Sequence, residues 1–153
     1  MGLSLERKEG IMIKITLKDG KELEFEKPVP LFEAVKRISN SLAKEAVVAK
    51  VDGHITDLRE NIAAGTQVEF FTKEDKEGLM TLRHSAAHVM AQAIQHLYPG
   101  TKFAIGPAIE DGFYYDLESD HMFSQEDFAA IEKEMAKICK ENLPIEKKIL
   151  TRE

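Results

Sequence analysis

Residues 82–116 read LRHSAAHVMAQAIQHLYPGTKFAIGPAIEDGFYYD, and the rest of the chain is arranged around this stretch. Its first half has the apolar spacing of an amphipathic helix. The apolar positions are Leu82, Ala86, Val89, Met90, Ala93, Ile94 and Leu97. His84 and His88 project roughly 140° from the middle of that arc, one helical turn apart. The pattern therefore predicts a helix that presents two neighbouring imidazoles on its polar side.

Two imidazoles on one helix face can converge on a ligand, a metal ion or a water, or they can simply be solvated. A zinc metalloprotease helix has a glutamate directly after its first histidine, and Ser85 stands at that position here. A metal centre also needs at least a third ligand. Cys139 is a candidate only if the fold brings it near, so we assign no metal to the histidines.

The second half of the stretch predicts two strands, at 103–109 and 113–117, joined around a glycine-containing turn. Successive side chains of a strand face opposite sides of the sheet. Of Tyr114 and Tyr115, one can therefore pack while the other lines a cleft. Ordinary packing in a core or at a sheet edge is the alternative for both rings.

Residues 11–73 predict a separate small domain before the histidine helix. Alternation of Ile11, Ile13, Ile15 and Leu17 with polar residues is typical of a half-buried strand. Asp19-Gly20 predicts a type I′ turn into a second strand at 21–26. One helix at 31–42 and strands at 47–51 and 67–72 follow, with His54 assigned to a turn. This order predicts an α+β fold, a ubiquitin-like β-grasp of the kind that usually binds or docks.

Residues 79–153 predict a second domain, separated from the first by a polar linker at 73–78. Thr81 is a possible cap of the histidine helix. Ser124 followed by Asp127 indicates the start of a further helix. The apolar stripe of that helix comprises Phe128, Ile131, Met135 and Ile138. Pro144 limits it, and residues 145–150 suggest one more strand.

The composition of the chain excludes several classes of protein. It has 153 residues, 43% of them hydrophobic, and no apolar run approaches the roughly 20 residues that span a bilayer. Residues 1–10 lack the hydrophobic core of a secretory signal. Cys139 is the single cysteine, so no internal disulfide forms and a reducing cytoplasm is expected. A net charge of −6 argues against gripping nucleic acid by bulk electrostatics.

Two segments carry a resemblance to a known family. LRHSAAHVMAQA, followed by IGPAIEDGFYYD, closely resembles the start of the editing domain of bacterial threonyl-tRNA synthetases. PLFEAVKRI and VVAKVDGHITDL resemble the TGS domain that opens the same enzymes. TGS domains also occur in Obg-like GTPases and stringent-response synthetases, so the histidine segment is the more specific of the two. Both domains occur in the order of the family.

The resemblance implies a site and a reaction. In that family the editing domain hydrolyses serine wrongly attached to threonine tRNA. The two amino acids differ by one methyl group, which is worth only about 1–3 kcal/mol of discrimination, so a second hydrolytic site is the usual remedy. By resemblance, His84 and His88 lie in the editing pocket, and Tyr115 and Tyr114 border it. No general base is assigned among them.

Family members continue with the second half of the editing domain, a class II catalytic core and an anticodon-binding domain. ATP, magnesium and zinc belong to that core, and family members are typically homodimers that bind tRNA(Thr). We expect this chain to be an N-terminal fragment that neither aminoacylates nor edits appreciably, and needs no cofactor. The alternatives are a freestanding TGS-containing module that binds RNA or protein, and a trans-editing hydrolase. A reading frame that continues beyond Glu153 into a class II core would identify a fragment of a synthetase. A reading frame that stops there would leave the freestanding module as the hypothesis to test.

Overall fold

A computed structural model describes residues 12–152, so the predictions made for Ile11 and for residues 1–10 lie outside the described residues. The chain divides into two compact units between Leu82 and Arg83. They are called the N-terminal and the C-terminal unit below. Within residues 12–152, no helix is both long and apolar enough to cross a membrane.

The N-terminal unit contains a five-stranded mixed sheet. Its strands are β1 (Ile13–Leu17), β2 (Glu22–Phe25), β3 (Ala46–Val51), β4 (His54–Thr56) and β5 (Gln67–Thr72). Their order across the sheet is β2-β1-β5-β3-β4, with β1 and β5 parallel and the other neighbours antiparallel. Helix α1 (Leu31–Ile38) buries its apolar side in a core that it shares with the sheet. This topology confirms the predicted ubiquitin-like β-grasp.

One apolar core holds the sheet and α1 together. Burying each large apolar side chain stabilises the fold by about 1.5–3 kcal/mol. The core residues are Ile13, Ile15, Phe25, Leu31, Ala34, Ala49, Ile62 and Val68. The alternation predicted for β1 is confirmed, because Ile13, Ile15 and Leu17 are buried while Lys14 is exposed.

The prediction of a single helix over 31–42 is wrong, because the structure has two helices in this part of the chain. Ser39 has extended backbone angles, φ −165° and ψ 132°, and separates α1 from α2 (Asn40–Glu45). Its hydroxyl accepts a hydrogen bond from the Leu42 N–H at 3.3 Å and so caps α2. Serine competes with the helical backbone for hydrogen bonds, which makes it a good first cap and a poor interior residue.

The type I′ turn lies at a different Asp-Gly pair from the predicted one. Asp52 and Gly53 both have positive φ angles, 48° and 85°, and join β3 to β4. At Asp19-Gly20 only the glycine has a positive φ, 84°, so the predicted type I′ turn is wrong there. His54 consequently begins β4 and does not lie in the turn.

Helix α3 (Lys76–Leu97) begins earlier than predicted, inside the segment interpreted as a linker. Thr81 is not its cap, since the Thr81 hydroxyl donates to the Glu77 carbonyl within the helix at 2.9 Å. Gly78 is buried where the helix passes the end of β5. A Cβ on Gly78 would lie 1.9 Å from the Thr72 carbonyl oxygen.

The C-terminal unit contains the rest of α3, a long hairpin and helix α4 (Gln125–Glu141). The two strands predicted for the hairpin are each interrupted. The pieces are β6 (Lys102–Phe103), β7 (Ala108–Ile109), β8 (Gly112–Phe113) and β9 (Leu117–Glu118). β6 pairs with β9 and β7 with β8, and the break lies at Gly106-Pro107. Proline has no N–H to donate to a ladder, so regular pairing stops there.

Packing in the C-terminal unit corrects two further predictions. Its buried core comprises Ala93, Ile94 and Ile131. Ala87, outside the predicted apolar arc, is fully buried, whereas Leu97 at the end of the arc is exposed, as is Leu82 at the end of the N-terminal unit. The strand predicted at 145–150 is absent from the described residues, which have no regular structure after α4.

Candidate functional site

The two imidazoles of α3 contact each other. Nε2 of His84 lies 3.1 Å from Nε2 of His88, and the rings meet edge to face with centroids 4.6 Å apart. Both side chains are exposed. A hydrogen bond between two ring nitrogens needs one N–H and one lone pair, so one of the rings donates and the other accepts. The pair is thus a small donor–acceptor unit open to a ligand.

The residues around the pair do not form a metal centre. Within residues 12–152, no group of three or more His, Cys, Asp or Glu side chains is placed to hold an ion. Cys139 is an exposed free thiol on α4 and does not complete a ligand set with the histidines. The imidazoles themselves can transfer a proton and form hydrogen bonds.

The two tyrosines of the hairpin have different surroundings. Tyr115 packs edge to face on Phe103, with centroids 5.3 Å apart, and its ring lies directly over Gly106. Tyr114 is 48% exposed, and its backbone N–H donates to the Pro107 carbonyl at 3.4 Å. Tyr115 is therefore the packed ring and Tyr114 the accessible one.

Arg83 links the histidine helix to the tyrosine hairpin. Its Nη1 donates to the Ile109 carbonyl at 3.4 Å and to the Glu110 carbonyl, at the hairpin tip. Within residues 12–152, neither tyrosine makes a hydrogen bond or ring contact with His84 or His88. Arg83 was not predicted from the sequence, although its position directly before His84 is a usable signal.

A second cluster, also missed from the sequence, surrounds Asp127 at the start of α4. The carboxylate accepts from the Ser124 N–H at 2.8 Å, from the Tyr98 hydroxyl at 3.0 Å and from His121 Nε2 at 3.0 Å. The His121 ring stacks on Tyr98 with centroids 4.1 Å apart, and Phe123 meets both rings edge to face. The cluster joins the end of α3 to the start of α4.

These hydrogen bonds change the pKa of two groups. The Ser124 N–H first, and then the His121 imidazole, lower the pKa of Asp127 from 3.8 to about 2. Burial and the hydrogen bond to Asp127 raise the pKa of Tyr98. A carboxylate that accepts several hydrogen bonds is stabilised in its charged form. The cluster is therefore strongest when Asp127 is ionised.

We expect the C-terminal unit to lose stability as the pH falls from about 4 to about 2. The folded pKa of Asp127 lies below its unfolded value of 3.8, so its contribution is complete above pH 4 and is lost on protonation. Asp127→Asn should lower the melting temperature at pH 7 and flatten this acid dependence. Circular dichroism melts at several pH values, with NMR amide signals of α4, measure both effects.

Glu126→Gln is the matched control for that prediction. It removes the same charge from the same turn of α4 but leaves the hydrogen bonds of the Asp127 carboxylate intact. An Asp127→Asn variant that melts like the Glu126→Gln variant at every pH would show that the cluster does not contribute through Asp127.

An open apolar groove of about 550 Å³ lies on the C-terminal unit, between α3, the hairpin and α4. Its lining residues are Met90, Ile94, Phe113, Leu117, Phe123, Phe128, Ile131, Glu132 and Met135. Only Glu132 is charged, and Phe128 is 56% exposed. Three residues of the stripe predicted on α4 therefore line this groove, namely Phe128, Ile131 and Met135, and the stripe is only partly buried. Apolar surface of this kind favours association.

Comparison with known proteins first identifies a domain. Residues 13–72 match the TGS domain family, and this range coincides with the sheet and helices of the β-grasp. The N-terminal unit is thus a TGS domain.

Beyond that domain, the chain is similar to threonine–tRNA ligases. It is 51% identical to the enzymes of Clostridium acetobutylicum and Clostridium tetani over 142 residues, which is 93% of this chain. The enzyme of Natranaerobius thermophilus is 48% identical over the same length. The similarity lies in the N-terminal part of those enzymes, which confirms the resemblance noted in the sequence. The chain spans 22% of the length of these relatives.

Proposed function

We propose that this chain acts as the N-terminal region of a threonine–tRNA ligase, with a TGS domain followed by the first part of an editing domain. The enzyme as a whole would attach threonine to tRNA(Thr) with ATP in the cytoplasm. The editing domain would hydrolyse serine from mischarged Ser-tRNA(Thr). Identity of 48–51% over 142 residues, which is 93% of this chain, supports this proposal.

The observation that carries the editing assignment is the contact between His84 and His88. When the Nε2 atoms of the two exposed imidazoles bond each other at 3.1 Å, the Nδ1 atoms remain, one as a donor and one as an acceptor for a ligand. Hydrolysis of an aminoacyl ester requires a water to attack the carbonyl carbon and the ribose oxygen to leave with a proton. Imidazoles at this position would orient the water or the terminal ribose. Tyr114 and Tyr115 would border the same pocket.

ATP, magnesium and zinc are proposed for the catalytic core of such an enzyme and not for this chain. Within residues 12–152, the acidic, histidine and cysteine side chains do not assemble three ligands for a metal ion. The chain by itself is expected to show no threonylation and little deacylation of Ser-tRNA(Thr).

A non-hydrolysable mimic tests the site without requiring turnover. Adenosine that carries serine through an amide at its ribose should bind the chain and shift the imidazole NMR signals of His84 and His88. The double variant His84→Ala, His88→Ala should weaken this binding about tenfold or more, because each lost hydrogen bond is worth about 0.5–1.5 kcal/mol. Isothermal titration calorimetry measures the affinity.

His54→Ala is the control, since His54 is an exposed histidine on β4 in the TGS domain. Binding that survives the double variant, or is lost equally in the control, would remove the histidines from the site. Absence of binding by the unaltered chain would favour a TGS-containing binding module. Rapid hydrolysis of Ser-tRNA(Thr) that His84→Ala abolishes would overturn the claim that the chain alone is inactive.

A further inference from the structure

The hairpin of the C-terminal unit is connected to the histidine helix through the side chain of Arg83. Arg83 is half-buried on α3, and its guanidinium donates to two consecutive carbonyls, those of Ile109 and Glu110. These carbonyls lie at the β7–β8 turn, where Ile109 pairs with Gly112. One cation thus holds the tip of the hairpin beside the helix.

The bonded carbonyls are close in sequence to the tyrosines. Gly112 and Phe113 form β8 immediately after the tip, and Tyr114 follows with its N–H on the Pro107 carbonyl. Movement of the tip therefore moves the backbone that carries Tyr114. On the other side of the link, Arg83 directly precedes His84 in α3. Arg83 therefore connects the hairpin that carries Tyr114 to the helix that carries His84.

The chemistry of the link favours arginine. Both bonds come from one guanidinium nitrogen, Nη1, whose two N–H groups lie in the fixed plane of the guanidinium and can donate to two neighbouring oxygens. A lysine ammonium has three donors but sits on a flexible stem, so it can reach the same oxygens without holding them in a fixed plane. Carbonyl oxygens at a turn tip can otherwise bond to water, so the contact with Arg83 is not needed to satisfy them. Its effect is to fix the position of the hairpin tip beside the helix.

We propose that Arg83 is a positioning residue, which sets the distance between the exposed Tyr114 and the histidine pair. It thereby shapes the pocket that receives the aminoacylated 3′ end of tRNA. The inference rests on the proposed editing function. Arg83 does not touch the reacting atoms in this arrangement. It acts through the hairpin tip on one side and through the first turn of the histidine segment on the other.

Arg83→Met and Arg83→Lys test the proposal in the full chain, with two independent measurements. In the free chain, Arg83→Met should shift the amide signals of Asp111, Gly112 and Tyr114 together with the imidazole signals of His84. With the seryl-amide adenosine mimic, it should weaken binding about tenfold, the range expected on losing a hydrogen bond to a charged group. Arg83→Lys should recover part of the affinity.

Lys102→Met serves as the matched control, because it removes the same charge from β6 at the other end of the hairpin. The proposal is overturned if Arg83→Met leaves the Tyr114 and His84 signals and the affinity unchanged, or if Lys102→Met has the same effects. If the unaltered chain fails to bind the mimic, the editing function fails. The NMR comparison of the free variants then still decides whether Arg83 couples the hairpin to the helix.

Discussion

Replacing Gly78 by alanine is expected to destabilise the TGS domain by about 1–3 kcal/mol, the usual cost of overpacking a well-packed site. At an ordinary helix position the same change stabilises by roughly 0.5–1 kcal/mol, because glycine is the weaker helix former. The sign reverses here because the added Cβ would lie 1.9 Å from the Thr72 carbonyl oxygen and 2.6 Å from its carbon. Both are backbone atoms, so a side-chain rotation cannot relieve the overlap.

Urea denaturation, followed through NMR amide signals of β3 and β5, measures the change in the free energy of unfolding. Ser41→Ala in α2 is the control, since Ser41 is an exposed helical residue of the same unit. It should change the stability by no more than about 0.5 kcal/mol. Stabilisation by Gly78→Ala would mean that α3 and the end of β5 do not approach as closely as the structure shows.

Gly106→Ala should destabilise the C-terminal unit by a similar amount, about 1–3 kcal/mol, by displacing the Tyr115 ring. A Cβ at this position would lie 2.3 Å from Cδ2 and 2.4 Å from Cε2 of Tyr115. The ring cannot withdraw freely, because Phe103 contacts it edge to face. The variant should therefore change the ring NMR signals of Tyr115 as well as the melting temperature.

A double-mutant cycle isolates this contact. In a Tyr115→Ala background the obstacle is gone, so Gly106→Ala should become nearly neutral. In a Tyr114→Ala background the cost should remain, since Tyr114 is exposed and is not among the atoms closest to the added Cβ. Equal costs of Gly106→Ala in both backgrounds would contradict the packing of Tyr115 on Gly106.

Local patterns predicted most of the elements but not their interruptions. Strict alternation predicted β1, and the Ser124–Asp127 signature predicted the start of α4. Breaks within elements depend on single residues whose side chain caps a new helix or whose backbone has no N–H to donate. Ser39 divides one predicted helix into two, and the Gly106-Pro107 pair interrupts both predicted strands of the hairpin. Periodicity averages over a window and does not detect such single positions.

The histidine pair shows which part of the candidate site the spacing of residues along a helix predicts. The i, i+4 spacing of His84 and His88 predicts that the two rings are neighbours, because helical geometry alone places them there. Their contact at 3.1 Å agrees with that expectation. The spacing does not say which part of the chain lies opposite the rings, since that depends on residues distant in sequence.

The sequence by itself determined the α+β class, the order of the small β-grasp domain and the histidine helix, and the position of the two imidazoles on one face. These features follow from periodicities of 2 and 3.6 residues within short segments. Only the tertiary structure decided that Arg83 bonds the hairpin tip, that Tyr98 and His121 meet on Asp127, and that Gly78 admits no side chain. The Arg83 and Tyr98 contacts join groups 26 to 29 residues apart, and the approach at Gly78 joins a helix to a strand. No local pattern records which distant backbone or side chain will occupy the neighbouring space.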